Sequence, residues 1–181
     1  MNLKNIILCG LSIGGLYAAI TSLEEIDVKG LVLINTLRKP SPRLDWINRA
    51  MVNAAKLGGS ALIMDMCMPV IASPKFLNKV KSNALMFENY KPLDKNDGIF
   101  KLMEGSLSTN WSFDWSKIDV LTLIMTGHLD KMFRIPEDIK DLVKKIKNSI
   151  TLELPSCGHL IPLEEPEQFA DHIIKFAENL N

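Results

Sequence analysis

Three side chains far apart in the sequence have the types that nucleophilic catalysis needs: Ser12, Asp130 and His159. The serine lies in Gly10-Leu-Ser12-Ile-Gly14, where the apolar run Asn5–Cys9 ends. A serine on a sharp strand-to-helix turn projects its hydroxyl outward while the backbone folds beneath it. Glycine two positions before and after would keep strand and helix from colliding, which predicts a steric need at both Gly10 and Gly14. The same turn aims the Ile13 N–H at the point where a tetrahedral oxyanion would form, at the positive end of the helix that follows. A serine hydroxyl attacks poorly until a base takes its proton, so such a turn needs a histidine and usually a carboxylate to orient it.

The chain has three histidines. His159 stands in Pro-Ser-Cys-Gly-His-Leu-Ile-Pro at 155–162, where Gly158 allows a close backbone approach. His128 stands in Thr-Gly-His-Leu-Asp at 126–130 and has no second ligand at metal spacing, so no metal role is expected. His172 falls in a C-terminal amphipathic stretch and reads as a surface or interfacial residue. Asp130 lies between the serine and His159 in chain order. Other acids fit less well: Asp27 precedes a strand, Asp45 begins a helix, and Glu164 and Glu165 read as the opening of the last helix. Taken singly, Gly-x-Ser-x-Gly also arises by chance, Asp130 also suits a turn, and His159 also suits a satisfied loop position. Three role-matched residues in the order Ser…Asp…His are harder to obtain by chance.

The elements that must position them are legible as alternating runs. Asn5–Cys9, Gly30–Asn35, Val120–Thr126 and Ile150–Leu154 read as strands. Helical stretches over 13–24 and Pro136–Asn148 join the first two and the last two, and Pro166–Asn179 closes the chain with Phe169, Ile173, Ile174 and Phe176 toward the core. The third strand is almost wholly apolar, as a parallel strand covered on both faces should be. This alternation predicts an α/β fold with a short parallel sheet of about four strands. Its carboxyl edge is where such sheets carry their chemistry, and all three candidate residues fall there.

Residues 37–118 break the rhythm. Their apolar spacing is helical near Leu44–Leu57, Ser60–Ile71, Pro74–Tyr90 and Gly98–Ser106, with Pro40, Pro42, Pro69, Pro74 and Pro92 as punctuation. The expected organisation is a core of 1–36 and 119–181 with a helical cap of 37–118 inserted after the second strand. Six of the nine methionines, Met51, Met64, Met66, Met68, Met86 and Met103, fall in the cap. At helical spacing they read first as adaptable core filling, and a lid over an apolar pocket would use the same residues.

Composition narrows the classes. With 181 residues, 47% of them hydrophobic, the chain can bury a real core. Its 21 basic and 21 acidic residues cancel, which argues against nucleic-acid or membrane-surface partners. The lysines of 140–147 alternate with Asp, Leu, Val and Ile and read as a solvated helix face. Cys9, Cys67 and Cys157 are odd in number and lack metal spacing, so disulfides are not expected and a cytoplasmic setting is. No transmembrane segment is expected. A phosphate-binding loop is excluded by the missing Lys-Ser/Thr pair, G-x-G start and acidic strand end, where Asn35 stands. A signal peptide is disfavoured by the glycines and serine that interrupt 6–20.

These segments, NIILCGLSIGGLYA, GLVLIN, VLTLIMTGHLDKMF and LPSCGHLIPLEEPEQFADHIIKFA, resemble the carboxyl-terminal two-thirds of a serine α/β-hydrolase with a helical cap. The resemblance implies a partial α/β-hydrolase fold with Ser12 as nucleophile, His159 as general base and acid, Asp130 as orienting carboxylate and the Ile13 N–H as one oxyanion donor. It implies a small-molecule acyl substrate, an ester, lactone or diketone, and no metal or organic cofactor. The family's first four strands, and the loop that supplies its second oxyanion N–H, have no counterpart, so a truncated or impaired hydrolase is the competing expectation. Met1–Lys4 would then be the tail of a preceding helix. The strand at 5–9 would be an exposed edge, open to self-association or to a partner in a split assembly.

Overall fold

The computed structural model describes residues 3–24, 26–36 and 39–180. Met1 and Asn2, which carry half of the expected helix tail, and Leu37, the expected cap boundary, lie outside these. The apolar runs form a parallel sheet of four strands, β1 (Ile6–Leu11), β2 (Val28–Ile34), β3 (Leu121–Gly127) and β4 (Ser149–Leu154), in the spatial order β1-β2-β3-β4. Parallel neighbours need crossovers. Helix α1 (Ile13–Thr21) supplies the first and α5 (Pro136–Lys145) the last. Between β2 and β3 run α2 (Pro42–Ile71), α3 (Pro74–Val80) and α4 (Gly98–Gly105), and after β4 come α6 (Ile161–Glu164) and α7 (Pro166–Glu178).

Residues 1–38, 71–73 and 113–181 make one compact unit, and 39–70 with 74–112 a second. In the first unit, β2 is central, and Leu31, Val32 and Leu33 are fully buried, which explains its unbroken apolar run. Its core joins Val32, Ile34, Leu123, Met125, Leu154, Cys157, Ile161 and Phe176. Phe169, Ile173 and Leu180 pack against that core from the C-terminal helix and its end, but Ile174 does not and is exposed. The expectation that Ile174 faces inward fails because positions 169, 173, 176 and 180 share a helical face, which 174 leaves by about 100°. On α5 the lysines are set off by Leu142 and Ile146, both buried, and Pro136 opens the helix where its missing N–H costs nothing.

The second unit contains helices and no strand among its described residues. The stretch Pro42–Ile71 is long and apolar enough, by length and composition alone, to cross a membrane. Gly59, at φ 64° and ψ −155°, breaks it into two helices, and a Cβ there would meet Lys91 O at 2.1 Å. The Ala55 carbonyl, ahead of the break, accepts from the Leu93 N–H at 3.0 Å. The helix expected over Pro74–Tyr90 ends at Val80 and gives way to short turns at Lys81–Asn83 and Phe87–Asn89. Of the six methionines of this region only Met68 is buried, while Met64, Met66 and Met86 are exposed. Met66 lies on the opposite side of the helix from Met64 and Met68; Met64 shares the face of Met68 yet is exposed, so full burial is found for Met68 alone of the six.

Candidate active site

The strand registers align the four carboxyl ends. Leu11 pairs with Ile34, Ile34 with Met125, and Gly127 with Leu154. Ser12, the loop at 128–135 and the loop at 155–160 therefore leave the same sheet edge.

Ser12 follows β1 directly and adopts φ 57°, ψ −122°. A serine at positive φ costs on the order of 1–3 kcal/mol, and such strain persists only where surrounding structure enforces it. Here the Ser12 N–H donates to Ile34 O at 2.8 Å, the Gly15 N–H donates to Ser12 O at 3.2 Å, and the hydroxyl does not cap α1. Ile13 is the first residue of α1, so its N–H belongs to the group of donors that a helix start leaves without intrahelical partners. At Gly10 a Cβ would lie 2.4 Å from Gly14 O and from Gly15 Cα, so the steric need expected there is real. At Gly14 a Cβ would meet nothing within 4 Å, which corrects the second half of that expectation. The close approach falls instead on Gly15, where a Cβ would lie 1.8 Å from Thr36 Oγ1. Gly15 shares the buried face of α1 with Leu16 and Ala19, and Gly14 does not.

Asp130 and His159 come together across the ends of β3 and β4. His159 Nδ1 lies 2.6 Å from Asp130 Oδ2, and both side chains are almost wholly buried. The other carboxylate oxygen, Oδ1, accepts the N–H groups of Met132 at 3.0 Å and Phe133 at 2.9 Å. These two bonds fix the plane of the carboxylate. A carboxylate acceptor at Nδ1 holds the imidazole proton on that nitrogen and leaves Nε2 as the basic lone pair. The Phe133 ring packs against the imidazole at 4.9 Å between centroids. The two loops are joined by Leu129 N–H to Cys157 O at 2.9 Å, and a Cβ on Gly158 would sit 2.1 Å from Ile71 O. The close approach expected at Gly158 is thus present.

His128 takes a different place. Its Nε2 pairs with the exposed Glu153 carboxylate on β4. His172 is half-buried on α7. Among the described residues no group of three or more His, Cys, Asp or Glu side chains is placed to hold a metal ion.

Two buried polar residues of the site were missed in the sequence. Asn35, at φ 46° just past β2, donates from Nδ2 to His159 O at 2.8 Å and Gly158 O at 3.1 Å, and accepts at Oδ1 from Gly127 N–H at 2.9 Å. Glu164 does not open the last helix but ends α6, with its carboxylate turned inward onto the N–H groups of Ser73, Gly158 and Leu160. The available signal is an uncommon one: a polar residue closing the apolar run 30–34, and a glutamate six residues after a loop glycine.

Residues 2–172 match the model of the alpha/beta hydrolase family, and the chain belongs to that family. No curated protein matches it. Among solved structures it is similar to a thermophilic esterase from Thermogutta terrifontis, with TM-score 0.77, 22% identity, and coverage of 98% of this chain and 66% of that one. It is also similar to an alpha/beta hydrolase from a Medee basin deep-sea metagenome library, with TM-score 0.80, 23% identity and coverage of 96% and 65%. A third likeness is to the enol-lactonase from Burkholderia xenovorans, with TM-score 0.74, 19% identity and coverage of 96% and 65%. The chain thus spans about two thirds of the length of these structures, and at such identities the likeness establishes the fold.

Proposed function

We propose that this chain carries the catalytic residues of a serine hydrolase acting on small esters or lactones. The observation that supports it most is the buried Asp130–His159 pair at the same sheet edge as a serine held at positive φ. In this reading Ser12 Oγ attacks the acyl carbonyl carbon and its proton passes to His159 Nε2. Asp130 holds the imidazole by Nδ1 and stabilises the imidazolium that forms. The Ile13 N–H stabilises the developing oxyanion at the positive end of α1. Collapse of the tetrahedral intermediate breaks the acyl–oxygen bond, with His159 returning the proton to the leaving alcohol. Water, deprotonated by the same histidine, then releases the acid from acyl-Ser12. Turnover of p-nitrophenyl acetate and butyrate by the 181-residue chain tests this, with Ser12→Ala as the control. Ser12-dependent turnover is expected, and equal rates for the two proteins would refute it.

A second reading concerns partners. Among the described residues β1 pairs only with β2, and its Ile6, Ile7 and Leu8 are half-buried. An apolar strand with one unpaired side is a template for another strand. We propose that the outer edge of β1 takes up a strand from a second polypeptide, with light scattering as the test. A monodisperse monomer that unfolds cooperatively would count against it.

A further inference from the structure

The histidine loop is bonded in a way that a surface loop does not require. Each backbone polar group from Gly158 to Leu160 has a partner within the protein. The His159 N–H donates to Ile71 O at 2.6 Å, and Asn35 Nδ2 takes the carbonyls of Gly158 and His159. The Leu160 carbonyl accepts from Leu163 and Glu164 N–H groups at 2.8 and 2.9 Å. The two remaining donors, Gly158 N–H and Leu160 N–H, go to the two oxygens of one side chain: Glu164 Oε2 at 2.9 Å and Oε1 at 3.1 Å. Oε2 also accepts the Ser73 N–H at 2.9 Å. Glu164 is 7% exposed, so its charge is carried inside the protein on backbone dipoles.

We propose that Glu164 is a positioning residue for His159. Its carboxylate brackets the histidine from both sides in sequence, through residues 158 and 160, and ties the loop to the Ile71–Ser73 segment that receives the His159 N–H. Only an acceptor with two oxygens serves all three donors. A glutamine offers one oxygen, so its NH₂ group must face at least one buried N–H, whichever way the amide turns. Release of that donor lets the loop shift. Displacement of a catalytic group by about 1 Å costs up to about 10²-fold in rate.

The role rests on the proposed serine mechanism, so its test pairs turnover with a readout that does not need turnover. Wild type, Glu164→Gln and Glu164→Asp are compared by p-nitrophenyl acetate kinetics and by the His159 Nδ1–H proton resonance. For Glu164→Gln the expected result is a folded protein whose kcat falls by about 10- to 100-fold, with KM changed less than about two-fold and the His159 resonance broadened or lost. Glu164→Asp, which keeps the two-oxygen acceptor, recovers part of both. A Glu164→Gln protein with wild-type kcat and an unchanged resonance overturns the proposal. Failure of both variants to fold also overturns it, because Glu164 would then hold the fold as a whole. If wild type shows no Ser12-dependent turnover yet Glu164→Gln still loses the His159 resonance, the serine mechanism fails and the positioning role stands.

Discussion

Replacement of Asp130 by asparagine isolates the role of the buried pair with almost no change of shape. Oδ1 accepts two backbone N–H groups, from Met132 and Phe133, so the asparagine oxygen is drawn to that position. Its NH₂ group then faces His159 Nδ1, which must accept rather than donate. The imidazole proton moves to Nε2, the nitrogen that has to take the serine proton, and the base is in the wrong tautomer. Turning the amide over restores the tautomer but sets the NH₂ against two half-buried N–H groups. At about 1–3 kcal/mol for each unsatisfied donor, that costs about 2–6 kcal/mol. With about 1.4 kcal/mol per factor of ten, the productive arrangement becomes about 30- to 20,000-fold rarer. The expected outcome for Asp130→Asn is therefore a fall in kcat of about 10²–10⁴ with KM little changed, measured by p-nitrophenyl acetate hydrolysis on protein shown by circular dichroism to be folded. A variant that keeps kcat within about three-fold of wild type would refute the reasoning, since neither amide orientation can supply both sets of bonds.

Three further outcomes follow from the geometry. Gly10→Ala is expected to lower thermal stability markedly while Gly14→Ala leaves it nearly unchanged, because only the first places a Cβ against backbone at 2.4 Å; paired thermal melts check this. Cys9 is exposed while Cys67 and Cys157 are buried, so Ellman's reagent is expected to titrate Cys9 in the native protein and the other two only on unfolding. Asp27 is held below the ordinary carboxylate range, first by the Asn5 N–H and then by Lys29. A lowered folded-state pKa gives stability that is present above the unfolded value of about 3.9 and lost as pH falls through the folded one. The melting difference between wild type and Asp27→Asn is thus expected at pH 7 and should shrink progressively in melts run at pH values below about 3.9.

Much of this arrangement is visible in the residue order, because period and punctuation carry it. Four apolar runs separated by amphipathic stretches allow little besides a parallel sheet. The candidate serine, acid and histidine, placed after β1, β3 and β4, then share an edge by topology. What periodicity does not carry is the direction of single side chains. Ile174 belongs to an amphipathic helix but leaves its buried face, and Met64 and Met66 are exposed while Met68 on the same helix is buried. Gly14 belongs to the motif, yet the helix turns Gly15 toward Thr36. The value of Asn35 lies in bonds to backbone groups 92 to 124 residues away, and that of Glu164 in joining the nearby Gly158 and Leu160 to Ser73, 91 residues away. No local pattern encodes contacts of that range.

The central claim is that Ser12 is a nucleophile activated by His159. Treatment of the 181-residue chain with a fluorophosphonate, followed by peptide mass spectrometry, tests it without reference to any substrate. Nucleophilic attack by Ser12 Oγ on phosphorus expels fluoride and leaves a stable phosphonate ester. The account predicts a single adduct on the peptide containing Ser12, absent in Ser12→Ala and formed at least about 10²-fold more slowly in His159→Ala. An unlabelled protein, an adduct on another residue, or a labelling rate indifferent to His159 would contradict it.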